Sequence, residues 1–180
     1  LTLNGVESFI EKAIESVYDY ADEIVVFDTG STDRTMEILA KYEKVKARQF
    51  KVQHLGKVWT DSKLEEELTK LLDQMKSETK AEWILKIDDD EYFPKEFMEE
   101  ISQLQGEHPI YSLPFYQCGK GRNEKMVIKR LFKNIPEVSW NGIYGKETLA
   151  YNNVRFSSKK CPILNHCFIH LGELRGEDGR

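Results

Sequence analysis

The sequence predicts an α/β domain, and three observations carry that expectation. Apolar residues recur with helical spacing over 6–17, a β-branched run over 23–28 ends at a glycine turn, and a second apolar run over 82–87 ends in four acids. Strands and helices alternating in this way are joined by crossovers and build a Rossmann-type sheet. At 180 residues the chain is most simply one domain, with an α/β half over 1–105 and a strand-rich half over 106–180.

Each element has its own signal. Val6, Phe9, Ile10, Ala13, Ile14 and Val17 share one helix face, with Asn4 as cap and Glu7 three residues later. The run at 23–28 reads as a buried strand, followed by a helix at about 33–42 and a weaker strand at 45–50. Ser62 and Glu65 form a capping box ahead of Leu64, Leu68, Leu71, Leu72 and Met75 on one face. "EWILKI", 82–87, is the next buried strand, and Pro94 opens a helix to about residue 104. After that, "IYSLPFYQ", "MVIKRLF", "IYGKETLAY" and "CPILNHCFIHL" read as strands separated by Gly, Asn and Pro. The opening "LTLN" has the character of a strand end, so an upstream segment is expected.

Composition excludes several classes. With 40% apolar residues and charges of both signs interspersed, the chain is not disordered. A formal net charge of -5 argues against a general nucleic-acid binder, although residues 119–130 are locally basic and suit a phosphate or an acidic lipid face. Three cysteines without a C-x-x-C pair favour a reducing compartment, so a cytoplasmic protein is expected. No apolar run reaches the length of a membrane span, so any membrane contact would be peripheral.

The chemistry concentrates at strand ends, where open α/β sheets bind ligands. Ser31, Thr32 and Asp33 are explained as caps for the following helix, but Asp28 ends a buried strand and is expected to face the cleft. In an extended "DDDE", Asp88 and Asp90 share one side and Asp89 points away. Converging carboxylates repel unless a cation sits between them, and oxygen ligands suit Mg²⁺ or Mn²⁺ completed by substrate phosphates. Glu91 is either a helix-dipole residue or a reserve base. Arg122, Lys125, Lys129 and Arg130 suit a diphosphate or an anionic acceptor, against the plainer reading of a solvated hairpin.

Together "NGVESFIEKAIESV", "DEIVVFDTGSTDRT" and "WILKIDDDE" resemble the family 2 glycosyltransferases of the GT-A fold, and "RLFKN", "WNGIYGKE" and "FIHLGEL" resemble later segments of that family. The resemblance implies a GT-A-like three-layer sandwich with a mixed central sheet, a donor-binding first half and an acceptor-side second half. It implies a metal-dependent inverting transfer from a nucleoside-diphosphate sugar, UDP most of all, to a glycan, lipid-linked or protein acceptor. Asp28 would contact the base, Asp88 the ribose or the metal, and Asp90 the metal. His170 would lie near the diphosphate or complete the metal shell. Asn4 and Arg130 fall on the donor side, and Glu147 matches the general base. The chain departs from the family at Lys146, where His is usual, at the extra Gly145, and over 54–67, which bears on the sugar pocket.

Rival readings are a metal-dependent nucleotidyl- or phospho-transfer enzyme and a non-catalytic sugar-nucleotide-binding module. A zinc site from Cys161, His166, Cys167 and His170 lacks the usual ligand spacing. A dehalogenase-type phosphatase would need an acid where Gly30 stands. Trp59 and Trp140 suit sugar stacking or the edge of a core.

Overall fold

The computed structural model describes residues 7–51, 62–118, 124–141 and 149–171. The first apolar stripe forms α1 (Glu7–Tyr18), burying Ile10, Ala13, Ile14 and Val17. The β-branched run forms β1 (Ile24–Asp28), which pairs in parallel with β2 (Val45–Gln49) from Ile24↔Val45 to Asp28↔Gln49. Between them α2 (Thr35–Leu39) is shorter than the expected 33–42. Asp33 Oδ1 accepts from the Thr35 N–H at 3.0 Å and the Thr35 hydroxyl at 2.6 Å, so the helix starts at Thr35. After Leu39 the chain tightens into three-residue turns, with Lys41 N donating to Ile38 O and Tyr42 N to Leu39 O.

The leucine-rich helix is α3 (Ser62–Glu78), followed by β3 (Trp83–Leu85), the short β4 (Glu91–Tyr92) and α4 (Lys95–Ser102). Pro94 sits one place before α4 with φ -58°, a value its ring pre-sets. The strand-rich half supplies β5 (Ile110–Gln117), β6 (Glu124–Lys133), β7 (Val138–Trp140), β8 (Leu149–Tyr151), β9 (Val154–Arg155) and β10 (Phe168–His170). Most of the expected strand at 143–151 lies outside the described residues. The two-residue loop between β8 and β9 places Asn152 and Asn153 at φ 50° and 60°, the left-handed pair that a tight hairpin turn requires.

Five strands form a mixed sheet in the order β3-β6-β5-β10-β4, parallel only between β10 and β5. Its two faces carry different cores. Tyr111 and Leu131 pack with residues of α1, α2 and α4, whereas their neighbours Ile110 and Phe132 pack with Leu72 of α3 and Val138, Trp140 and Leu149 of the small β7-β8-β9 sheet. Neighbouring residues facing opposite clusters place the sheet as the middle of three layers, the expected class. Phe168 is fully buried and stacks between Phe93 at 4.8 Å and Phe115 at 5.1 Å, fixing β10 in the sheet.

Two expectations need correction. "CPILNHCFIHL" is not one strand, because only its last part ladders. Its middle turns at Asn165 and His166, where the Glu100 carboxylate accepts from both backbone N–H groups, the Asn165 amide and His166 Nδ1 at 2.8–2.9 Å. Burial works against ionisation of Glu100, yet these donors hold its pKa below the ordinary value. Glu100→Gln is therefore expected to lower stability near neutral pH by about 1–3 kcal/mol. A depressed carboxyl contributes stability that is complete above the ordinary Glu value of about 4.3 and is lost as pH falls through the folded value. Melting curves of both proteins should thus converge in acid.

The second correction concerns "EWILKI". It was expected as a buried strand, but Trp83, Ile84 and Leu85 are only half-buried. Among the described strands β3 ladders only with β6 and β1 only with β2, so the sheet is in two pieces. The free side of β3 lines a cavity of about 500 Å³ that also reaches β1, α1 and α3.

Candidate functional site

The site begins at the end of β1. Asp28 is fully buried, and its carboxylate turns back into the following loop rather than outward. It accepts from the Ser31 N–H at 3.0 Å, the Ser31 hydroxyl, and the Gln49 side-chain amide at 2.7 Å. Gly30 turns the chain at φ 119°, a conformation that side chains disfavour, so the Ser31 donors can reach back. Gln49 arrives because it is the parallel partner of Asp28.

The four acids do not alternate as an extended strand would. Asp89 and Asp90 form a turn between β3 and β4, closed by the Glu91 N–H on Asp88 O at 3.2 Å. Asp89 is buried along with Asp90 and Glu91. Asp88 is held by two cations, Lys86 Nζ on Oδ1 and Arg130 Nη2 on Oδ2, both at 2.6 Å. Burial opposes its ionisation, but Arg130 and Lys86 keep its pKa well below the ordinary range. The partner cations expected for this carboxylate thus include two from the protein itself.

Arg130 also donates through Nη1 to Glu91 Oε2 at 2.8 Å, and the same oxygen accepts from the Asp88 N–H at 2.9 Å. Glu91 therefore braces the acid turn. It neither caps α4 nor, at 2% exposure, offers itself as a base. Burial pushes its pKa up to about 8, against the pull of Arg130. Arg130 is also buried and acts here as a positioning residue rather than as an open anion site.

His170 meets this turn from β10, where it pairs with Glu91 on one side and Gln117 on the other. The Leu171 N–H on Asp90 O at 2.8 Å extends the ladder and pins the turn. His170 Nδ1 lies 2.9 Å from Gln117 Oε1, and Nε2 lies 3.4 Å from Asp90 Oδ2. With Nδ1–H donating to the Gln117 oxygen, Nε2 presents a lone pair toward Asp90. Ligands 2.0–2.1 Å from a shared hard cation in neighbouring positions stand about 3 Å apart, close to this spacing. Asp90 and His170 therefore fit a divalent cation, whereas Asp88 is turned to its two bases. Among the described residues no group of three His, Cys, Asp or Glu converges as a ready metal cage.

Asn4, Trp59, Arg122, Gly145, Lys146 and Glu147 lie outside the described residues. Lys129 is buried, donating to Leu149 O and Phe156 O at 2.6 and 2.8 Å, so it braces the small sheet. Trp140 packs edge-on against Phe132 inside the core. The residues of the zinc reading part company: His166 goes to Glu100, His170 to Gln117, and Cys161 into the second core cluster. Lys86, Gln49 and Gln117 were not read from sequence. Lys86 carried a signal, since it stands two residues before Asp88, whereas Gln49 and Gln117 are placed only by strand register.

Acids at the carboxyl ends of strands in a three-layer α/β sandwich stand where open α/β sheets bind their ligands. The sequence model for glycosyl transferase family 2 matches residues 1–163, and the chain belongs to that family. A protein named as an uncharacterized glycosyltransferase in Rickettsia bellii is 37% identical over 95 residues, covering 53% of this chain and 28% of that protein. A TPR repeat-containing protein of Synechococcus elongatus is 28% identical over 167 residues, covering 87% of this chain and 38% of its own length. The chain thus spans well under half of either relative. The crystal structure of S. aureus TarS 1-349 shares the fold at a TM-score of 0.53 and 20% identity, over 89% of this chain and 50% of that one.

Proposed function

We propose that this domain transfers a sugar, with inversion and with a divalent metal, from a nucleoside-diphosphate sugar to an acceptor hydroxyl or similar nucleophile, UDP being the favoured nucleotide. The observation that carries the reading is Asp90 Oδ2 and His170 Nε2 facing each other beside the braced acid turn, in a chain of this family. Asp90 and His170 would hold Mn²⁺ or Mg²⁺, which supplies charge stabilisation to the departing diphosphate. Asp28, with Asn4, would set the base-binding end through the Ser31 loop. Asp88, fixed by Lys86 and Arg130, would accept from the ribose hydroxyls.

Glu147 would take the acceptor proton from the face of the sugar carbon opposite the leaving group, the geometry that inverts the centre. The acceptor is a glycan, a lipid-linked saccharide or a protein, met by the strand-rich half. A cytoplasmic setting, with peripheral membrane contact, suits an intracellular nucleotide-sugar donor. The test supplies UDP-, GDP- and CDP-sugars with Mn²⁺ and a panel of these acceptors. Release of nucleoside diphosphate is expected, whereas release of pyrophosphate or phosphate would point to nucleotidyl or phosphoryl transfer. Glu147→Gln should slow turnover by about a hundred- to ten-thousand-fold and leave donor binding intact. Unchanged turnover would remove Glu147 from the mechanism.

A further inference from the structure

We propose that Gln117 is a positioning residue for His170: its carboxamide oxygen holds the ring proton on Nδ1 and so keeps the Nε2 lone pair turned toward Asp90. The inference rests on the metal reading proposed above and adds to it a residue that touches neither the metal nor the sugar donor.

Strand β5 sets the imidazole in two ways. His170 is the last residue of β10 and Gln117 the last of β5, and the parallel register places them side by side. The Cys118 N–H donates to His170 O at 2.9 Å, so the two backbones are tied where the side chains meet. Alternation puts Phe115 and Gln117 on one face of β5. Phe115 meets the His170 ring at 73° with centroids 6.1 Å apart, and it is itself stacked at 5.1 Å on the fully buried Phe168. That packing fixes the plane of the ring. Gln117 Oε1, 2.9 Å from Nδ1, then fixes the partner of one ring nitrogen.

The ring has a competing arrangement, and Gln117 excludes it. A neutral imidazole carries one donor and one acceptor nitrogen, and the hydrogen bond made by one decides the state of the other. With the proton on Nε2, His170 would donate to Asp90 Oδ2, and the two candidate metal ligands would satisfy each other. A charge-assisted N–H···O⁻ bond is about 2.7–2.9 Å long, whereas Nε2 and Oδ2 stand 3.4 Å apart, the spacing of two acceptors facing a shared cation. A carbonyl oxygen can only accept, so its place at Nδ1 selects the tautomer that leaves Nε2 free. A carboxylate at position 117 would select the same tautomer but add a negative charge beside the place proposed for the diphosphate. The amide sets the tautomer without that charge.

Nitrogen-15 spectra of the metal-free protein, taken with the ring neutral, read the tautomer directly, and His170→Ala assigns its signal among the four histidines. The proton is expected on Nδ1 in the parent protein and on Nε2 in Gln117→Leu, where Asp90 is the acceptor left to it. Mn²⁺ titration, followed by the paramagnetic signal of the free ion, should show binding about 10–100-fold weaker in Gln117→Leu. Gln117→Glu should return the affinity close to the parent value, because its carboxylate again accepts from Nδ1. A parent proton on Nε2, or equal Mn²⁺ affinity in the parent and Gln117→Leu, would overturn the proposal. A loss in Gln117→Leu that Gln117→Glu does not rescue, with the tautomer unchanged, would mark a merely structural residue and overturn it too. A parent protein with the proton on Nδ1 that binds no Mn²⁺ would instead remove the cation reading and leave the part given to Gln117 standing. Should Gln117→Leu fail to fold, the parent spectrum decides.

Discussion

Arg130→Met is expected to lower the stability of the fold by about 3–5 kcal/mol, the cost of leaving buried charges without their partner. Arg130 spans β6 to the acid turn, with its side chain 10% exposed, bonded to Asp88 at 2.6 Å and to Glu91 at 2.8 Å. Glu91 is 1% exposed and already has its pKa pushed up to about 8 with Arg130 in place. Arg130→Lys should recover only part of the loss, because a single ammonium cannot reproduce the planar fork that engages both carboxylates. Adding Glu91→Gln to Arg130→Met should change little more, since burial already pushes the Glu91 pKa up to about 8 and, without the pull of Arg130, the carboxyl is protonated in the single variant. Denaturant unfolding of the single and double variants measures all three. A loss below 1 kcal/mol in Arg130→Met would show that the brace is dispensable.

Asp90→Ala is expected to reduce sugar transfer by a factor of about a thousand or more, the equivalent of several kcal/mol of lost charge stabilisation. The fold should survive, because Asp90 is tied to β10 through its backbone carbonyl, which accepts from Leu171 and is kept in alanine. His170→Ala should have a smaller effect on turnover and should weaken metal dependence in the same direction. Initial rates across a Mn²⁺ series, with melting curves alongside, separate the chemical loss from an unfolding artefact. Asp90→Ala with the parent rate would contradict the role given to it.

The parts of this molecule written locally were legible in sequence. The stripe of α1, the run of β1 and the leucines of α3 each encode their element within a dozen or so residues, and the structure holds them where they were expected. What depends on distant pairing was not. Glu91 reads as a helix-dipole residue beside Pro94, but Arg130, 39 positions later, makes it a buried brace. Gln117 and His170 meet only because β5 and β10 run parallel in one sheet, a register that no local pattern specifies. The alternation assumed for the acids failed for a related reason. Laddering of β4 against β10 draws the chain into a turn at Asp89 and Asp90 and ends the extended run at Leu85. Asp28 shows the reverse case, where strand-end logic placed the residue correctly but its own loop, through Ser31, claimed the carboxylate.

Asp90 and His170 are proposed to hold a divalent cation through which the domain would bind a nucleoside diphosphate. Calorimetric titration of UDP into the protein, with Mn²⁺ and then with excess chelator, tests it most directly. Saturable binding with Mn²⁺ that disappears in chelator, and is absent from Asp90→Ala under both conditions, is the expected result. UDP binding of equal affinity with and without metal, or unchanged in Asp90→Ala, would contradict it.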